Sequence, residues 1–279
     1  MPPFGLPVAP PVASAPAGGA GAGAWTTLLD LDFTAQPTQV FAADGVFVIA
    51  GKNWTKVNSA SEGAHMNILN GTGLQMPGPN GALNVAGVGC PYLWLPLSAI
   101  LGSVVADWAT AVRIYASLVN ETFVVGHAPN GFVVGICNDS AGGAQDNGIF
   151  LLRGTDTGGG GSGHNVRWAR LGANAQSQEV DDSFVPAAGN GTICFEMARV
   201  GASCVAPQGF HAAPLAAGAV FPALSAFKPD VSGGNTLQVV RMGATVSTFA
   251  QMGVLIGASS QGGGGYSGGL QRLRVDVRP

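Results

Sequence analysis

Trp108-Ala-Thr-Ala-Val-Arg-Ile-Tyr-Ala-Ser-Leu-Val-Asn120 is followed by Phe123-Val-Val-Gly126, Gly131-Phe-Val-Val-Gly-Ile-Cys137 and Gly148-Ile-Phe-Leu-Leu-Arg153. In the first run Val112, Ile114, Ala116 and Leu118 alternate with Arg113, Tyr115 and Ser117. A repeat of two places one apolar and one mixed face on an extended chain, which is a strand and not a helix. Asn130-Gly131 and Asn147-Gly148 punctuate the runs that follow. Asn-Gly takes the positive φ that tight hairpin turns demand. The stretch predicts consecutive antiparallel strands with turns at both Asn-Gly pairs.

The same period recurs on either side. Leu29, Leu31 and Phe33 alternate with Asp30 and Asp32. Asp44-Gly45 turns into Val46-Phe-Val-Ile49, and Trp54–Val57, Met66–Leu69, Gly73–Met76 and Tyr92–Leu95 are further short strands. Leu97–Leu101 has the length of one helical turn. Asn190-Gly191 opens a strand with Ile193, Phe195 and Met197 on one face, and a hairpin is expected near Val200-Gly201. Gly158–Gly161 and Gly262–Gly269 read as glycine loops, and 206–235 as a long connection without period. The chain closes on Leu273, Val275 and Val277 alternating with Arg274, Asp276 and Arg278. Strands dominate, and no repeat of 20–50 residues points to a solenoid or propeller.

Composition agrees. The chain has 44 Gly and 18 Pro among 279 residues, with 10% charged and 47% hydrophobic residues. Ordinary globular chains carry about 25% charged residues. Low charge with high apolar content excludes a disordered chain and suits short strands joined by Gly/Pro turns. The net charge of −3 leaves no basic footprint, so no nucleic-acid partner is expected. Residues 63–106 lack charge, but Pro77, Pro79, Pro91 and Pro96 break them into pieces too short to cross a bilayer, so no membrane insertion is expected. So little surface charge hints at a surface hidden in an assembly. No positive stretch followed by an apolar run marks a secretory signal.

Residues 1–24 differ from the rest. Pro2, Pro3, Pro7, Pro10 and Pro11 favour extended polyproline geometry, and a Gly/Ala run follows. Phe4, Leu6 and Val8 are apolar residues with no core of their own. The expected organisation is an anchoring arm at 1–24 and a sandwich domain at 25–279. Pro2, Phe4, Leu6 and Val8 are the expected partner-binding residues.

Taken together, the strand Leu28–Phe33 beside the closing strand Leu273–Val277, the long central strand Ala111–Asn120 and the late hairpin Ile193–Val205 resemble the concanavalin A-like jelly-roll sandwiches of lectins, laminin-G-like modules and glucanases. The resemblance covers roughly residues 25–279. It implies an all-β, antiparallel jelly-roll β-sandwich with an extended N-terminal arm. Arm, low charge and glycine loops are also similar in composition to virion proteins of tailed bacteriophages, used as head decorations, head fibres and tail appendages.

The chemistry the residues carry is thin. Gly265-Tyr-Ser267-Gly-Gly269 fits the nucleophile elbow, but no His follows it, the last being His211. Gly158-x-Gly160-x-x-Gly163 and Gly263-x-Gly265-x-x-Gly268 sit in no strand–turn–helix unit and bind no dinucleotide. Retaining glycosidases need two carboxyls about 5–5.5 Å apart. Glu179 and Asp181 alternate suitably, yet Asp182 breaks the pattern, and the reading is a solvated turn. Asn138-Asp139 and Asp146-Asn147 bracket a loop that calcium would suit, and as turn formers they need no ion. His65, His127, His164 and His211 lack ligand spacing. Cys90, Cys137, Cys194 and Cys204 form no Cys-x-x-Cys pair and read as small buried thiols, with Cys204 nearer Met197 than Cys194 across the late hairpin.

No catalytic, cofactor or metal residue is therefore expected, and the chain reads as a non-enzyme without cofactor. The leading function is a structural virion protein of a tailed bacteriophage, assembled in the host cytoplasm as a homo-oligomer and tied to capsid or tail proteins by its arm. The alternative is a carbohydrate-binding module for host-surface glycans, using some of Trp25, Trp54, Trp94, Trp108 and Trp168. A polysaccharide hydrolase is the third reading.

Overall fold

A computed structural model of the chain describes residues 24–79, 81, 83–84, 87–102, 111–123, 130–138, 148–155, 164–171, 189–201, 204–229, 240–241, 252–260 and 265–278. Its strands, in chain order, are β1 (Thr26–Asp32), β2 (Gln39–Val40), β3 (Gly45–Ile49), β4 (Lys52–Val57), β5 (Asn67–Leu69), β6 (Gly73–Pro77), β7 (Leu83–Asn84), β8 (Gly87–Val88), β9 (Tyr92–Pro96), β10 (Ala111–Phe123), β11 (Asn130–Asn138), β12 (Gly148–Thr155), β13 (His164–Leu171), β14 (Gly189–Gly201), β15 (Cys204–Ala212), β16 (Lys228–Pro229), β17 (Val240–Arg241), β18 (Met252–Ser259) and β19 (Tyr266–Arg278). The helical turn α1 spans Leu97–Leu101 and ends on Gly102 in the left-handed region.

Two antiparallel sheets carry the fold. One runs β16-β15-β14-β10-β19-β6-β5-β2, with β1 on β19 and β17 on β15. The other runs β13-β12-β11-β18-β9-β4-β3. The strand pair expected between the two ends of the chain is present: Leu29 lies opposite Val275 and Leu31 opposite Leu273. Their side chains join Phe33, Val112, Ile114, Phe195, Leu93, Val134 and Ile256 in one core between the sheets. β19 is central rather than marginal, because β10 flanks one side while β1 and β6 share the other end to end.

The outward faces are partly apolar too. Tyr92, Trp94, Val133, Cys137, Phe150 and Leu255 form a buried cluster of their own. On the ten-stranded sheet, Tyr115 and Cys194 pack with Phe221 and Phe227 of the segment that follows β15. Arg272 fastens that segment through its Nη1, which donates to the carbonyls of Gly218 (3.1 Å) and Ala219 (3.2 Å). No helix among the described residues is long and apolar enough to cross a membrane.

Several local expectations need correction. Asn130-Gly131 is not a hairpin turn but the first two residues of β11, opposite Thr155 and Gly154. Asn190-Gly191 likewise lies inside β14. β10 does not pair with β11 at all; the chain crosses from one sheet to the other between them. Residues 206–212 belong to β15 and not to a connection, because β14 supplies a ladder that the Ala/Pro-rich sequence does not advertise. Residues 266–269 are not loop but the start of β19. The late hairpin turns later than expected, with Gly201 opposite Cys204, so Cys204 lies near the turn while Met197 faces Pro207 and Cys194 faces Phe210. The Gly158–Gly161 loop lies outside the described residues.

Candidate functional site

Alternation along β10 places Val112, Ile114, Ala116 and Leu118 in the core. Continued unbroken, it would turn Asn120 inward and Glu121 outward. The chain does the reverse. Its register against β14 and β19 shifts around Asn120, whose φ is 55°, and Glu121 is buried. A bulge changes the phase of a strand by one residue, so what was the solvent side becomes the core side.

Glu121 meets Arg153 of β12 there, in an ion pair that joins the two sheets with both side chains almost fully buried. The Tyr266 hydroxyl donates to Glu121 Oε1 at 3.3 Å. Burial pushes the Tyr266 hydroxyl far above its ordinary range, which keeps its proton in place as a donor, while the charge of Arg153 opposes the shift. Asn130 Nδ2 donates to the Gly265 carbonyl at 2.5 Å, and the Gly265 amide donates to Ser260 Oγ at 3.1 Å. Two glycines of these strands, one of them Gly191 of a pair read as a turn, have a packing task. A Cβ on Gly191 would overlap the Arg153 guanidinium, and a Cβ on Gly154 would overlap the Asn130 carbonyl. They open room for the ion pair and for the close approach of β11 and β12.

Ser267, the serine of the elbow-like motif, lies in a regular stretch of β19 and shares a 2.7 Å hydrogen bond with the Thr122 hydroxyl. Among the described residues no imidazole is bonded to it, and it lies in no strand–turn–helix unit. A second buried pair lies at the far edge: Lys56 Nζ to Glu62 Oε1 at 2.6 Å, with the exposed His65 ring on Glu62 Oε2 at 3.2 Å.

The outer face of the ten-stranded sheet carries a charged ladder. Glu196, Arg113 and Asp276 lie in one row across β14, β10 and β19. Arg113 pairs with Glu196 at 2.5 Å, Arg274 with Asp276 at 2.5 Å and Arg272 with Asp30 at 2.7 Å. Trp25, which precedes β1, lies under two guanidiniums: Arg113 at 3.7 Å and Arg278 at 4.9 Å from its ring centre. Such contacts hold about 0.5–1 kcal/mol each at an exposed site.

Every carboxylate among the described residues is thereby engaged. Asp32 accepts from the Thr34 amide and hydroxyl, and Asp44 from the Ser59 amide. Glu121, Glu62, Glu196, Asp276 and Asp30 are paired with cations. Of the tryptophans offered for sugar stacking, Trp54 is fully buried in the core and Trp94 is buried with its Nε1 donating to the Cys137 carbonyl. Trp108 and the side chain of Trp168 lie outside the described residues, as do Glu179, Asp181, Asp182, Asp139, Asp146 and Asn147. So do the arm residues Pro2, Phe4, Leu6 and Val8. Among the described residues no three His, Cys, Asp or Glu side chains gather as a metal site.

Cys90, Cys137 and Cys194 are buried thiols outside any disulfide. Burial pushes the Cys90 thiol up to about 12 and the Cys194 thiol well above its usual value. Reaction with electrophiles runs through the thiolate. Cys90 and Cys194 are therefore expected to resist alkylation at pH 8 until the protein is unfolded, as peptide mapping by mass spectrometry would show; rapid native labelling of either would contradict the packing. Because the folded thiol of Cys90 titrates above the unfolded one, the fold loses stability as pH rises from about 9.0 toward about 12.

No protein-family model matches this chain, and no curated protein matches it. Solved structures similar to it include the CBM2 module of the evolved Dit of Lactobacillus casei BL23 phage J-1, at 9% identity over 92% of this chain and 97% of that one, with a TM-score of 0.42. An endo-1,3-beta-glucanase from Streptomyces sioyaensis shares 13% identity over 95% of this chain and 99% of its own, with a TM-score of 0.44. Lectin II from Ulex europaeus shares 8% over 86% and 98%, also at 0.44. At these identities the likeness concerns the course of the strands and no side chain. The strand order itself is that of an antiparallel β-sandwich of two large sheets, the all-β class expected from the sequence.

Proposed function

We propose that this chain is a structural display protein of a tailed-phage virion, a sandwich held on capsid or tail proteins by the arm at residues 1–24. The observation that supports this most is the engagement of every described carboxylate in ion pairs and turns, which assigns the charged groups to holding the sandwich together. The arm's point of departure supports it as well. Trp25 is clasped by Arg113 and Arg278, and β1 continues directly from it along β19. Tension on the arm is thus delivered to the centre of the ten-stranded sheet. Phe4, Leu6 and Val8 would supply roughly 1.5–3 kcal/mol each if buried on a partner. A proline-rich arm is already extended, which lowers the ordering cost of docking it.

Deleting residues 2–23 is expected to leave the thermal midpoint within about 2 °C of wild type and to abolish incorporation into particles. Truncated protein loading at wild-type occupancy would place the anchor on the sandwich instead. Glycan binding is the second reading, favoured by the half-buried ring of Trp25 on an Arg-rich face. A glycan array on the full chain, with Trp25→Ala as comparison, separates it from pure display.

A further inference from the structure

The seven-stranded sheet ends on β3, and no strand among the described residues pairs with its outer edge. The two-residue turn Ala50-Gly51, with φ 50° and 73°, sets Ile49 opposite Lys52. In a hairpin of that kind the backbone groups of Ile49, Phe47 and Gly45 face β4. Those of Val46 and Val48 face outward. Their side chains are exposed as well, at 64% and 61%, while Ile49 is in the core and Phe47 packs against it. Edges of this kind are usually blunted by a lysine, a proline or a bulge. Gly45-Val-Phe-Val-Ile49 has none of these. The edge of the other sheet, β2, is separated from β3 by only residues 41–44 and adds Val40, 54% exposed.

We propose that this edge is an interface in which β3 pairs antiparallel with β3 of a second copy of the chain, about a two-fold axis at Phe47. The strand is self-complementary in that arrangement. Val46 falls opposite the partner's Val48 and Val48 opposite the partner's Val46, so the outward amides and carbonyls of both edges meet one another. The four valines then form one apolar patch on the outer face of a joined sheet. Asp44 and Lys52, at the two ends of the hairpin, are held within their own chain by the Ser59 amide and the Ala99 carbonyl, so the pairing rests on the backbone groups and the valines. Isologous contact of this type closes as a dimer and does not propagate along the edge.

Sedimentation velocity of the full chain tests it. Wild type is expected to contain the dimer at micromolar concentration, and the Val46→Lys/Val48→Lys variant to show half the wild-type mass. Facing like charges should raise the dissociation constant by roughly a hundredfold. Circular dichroism should not change, because both side chains point to solvent, and the thermal midpoint should match that of wild type diluted until it is monomeric. Val46→Pro is the second arm. It removes one outward N–H and no bond to β4, and should also halve the mass. A wild-type chain that stays monomeric from about 1 to 100 µM, or a folded variant of either kind that keeps the wild-type mass, overturns the proposal.

Discussion

Glu121→Ala is expected to destabilise the protein by about 3–5 kcal/mol, because it removes the carboxylate from a buried guanidinium. Arg153 lies between the sheets with no access to water that could replace Glu121. Arg153→Met leaves the carboxylate with the Tyr266 hydroxyl as its donor among the described residues, and should cost a similar amount. Replacing both members, Glu121→Met with Arg153→Met, should recover much of the loss. A buried ion pair contributes little beyond what well-packed apolar side chains contribute, since desolvation offsets most of its attraction. Urea unfolding of the two single variants and the double variant gives the coupling energy directly. Single variants within about 1 kcal/mol of wild type would mean that water reaches the pair, and that the bulge at Asn120 does not seat Glu121 in the interior.

The second large effect is expected from Gly154→Ala. The added methyl would overlap the Asn130 carbonyl, a backbone atom that cannot swing aside as a side-chain end can. β11 and β12 would have to separate at the point where Asn130 also reaches the Gly265 carbonyl. The neighbouring Arg153 would be displaced with them. A cost of about 3 kcal/mol is expected, the upper part of the range for overpacking. Gly45→Ala, by contrast, meets no atom within 4 Å and strains only the local backbone at φ 155°. The test is the difference in urea midpoint between the two variants. Equal, small losses would show that the sheet yields at Gly154 without disturbing the ion pair.

These two positions mark how far the sequence could be read. Period-two alternation is a local property, and it located β1, β10, β14 and β19 and the residues they turn inward. It also implied the pairing of the first and last strands, because Leu29 and Leu31 had to share a core with Leu273 and Val275.

What failed to show was non-local. Asn130-Gly131 and Asn190-Gly191 carry the residues of a tight turn, and nothing near them reveals that Arg153 and the neighbouring strands require the missing Cβ. Glu121 carries no local signal; a register shift at Asn120 turns it inward to Arg153, thirty-two residues along the chain. Residues 206–212 have no strand signature of their own and are extended because β14 pairs with them. Fold class therefore follows from the sequence alone, because one buried face per strand dictates the alternation of side chains. Which charge is buried, which glycine is indispensable and which edge stays open were decided only by the tertiary structure, since each depends on the register between strands distant in sequence.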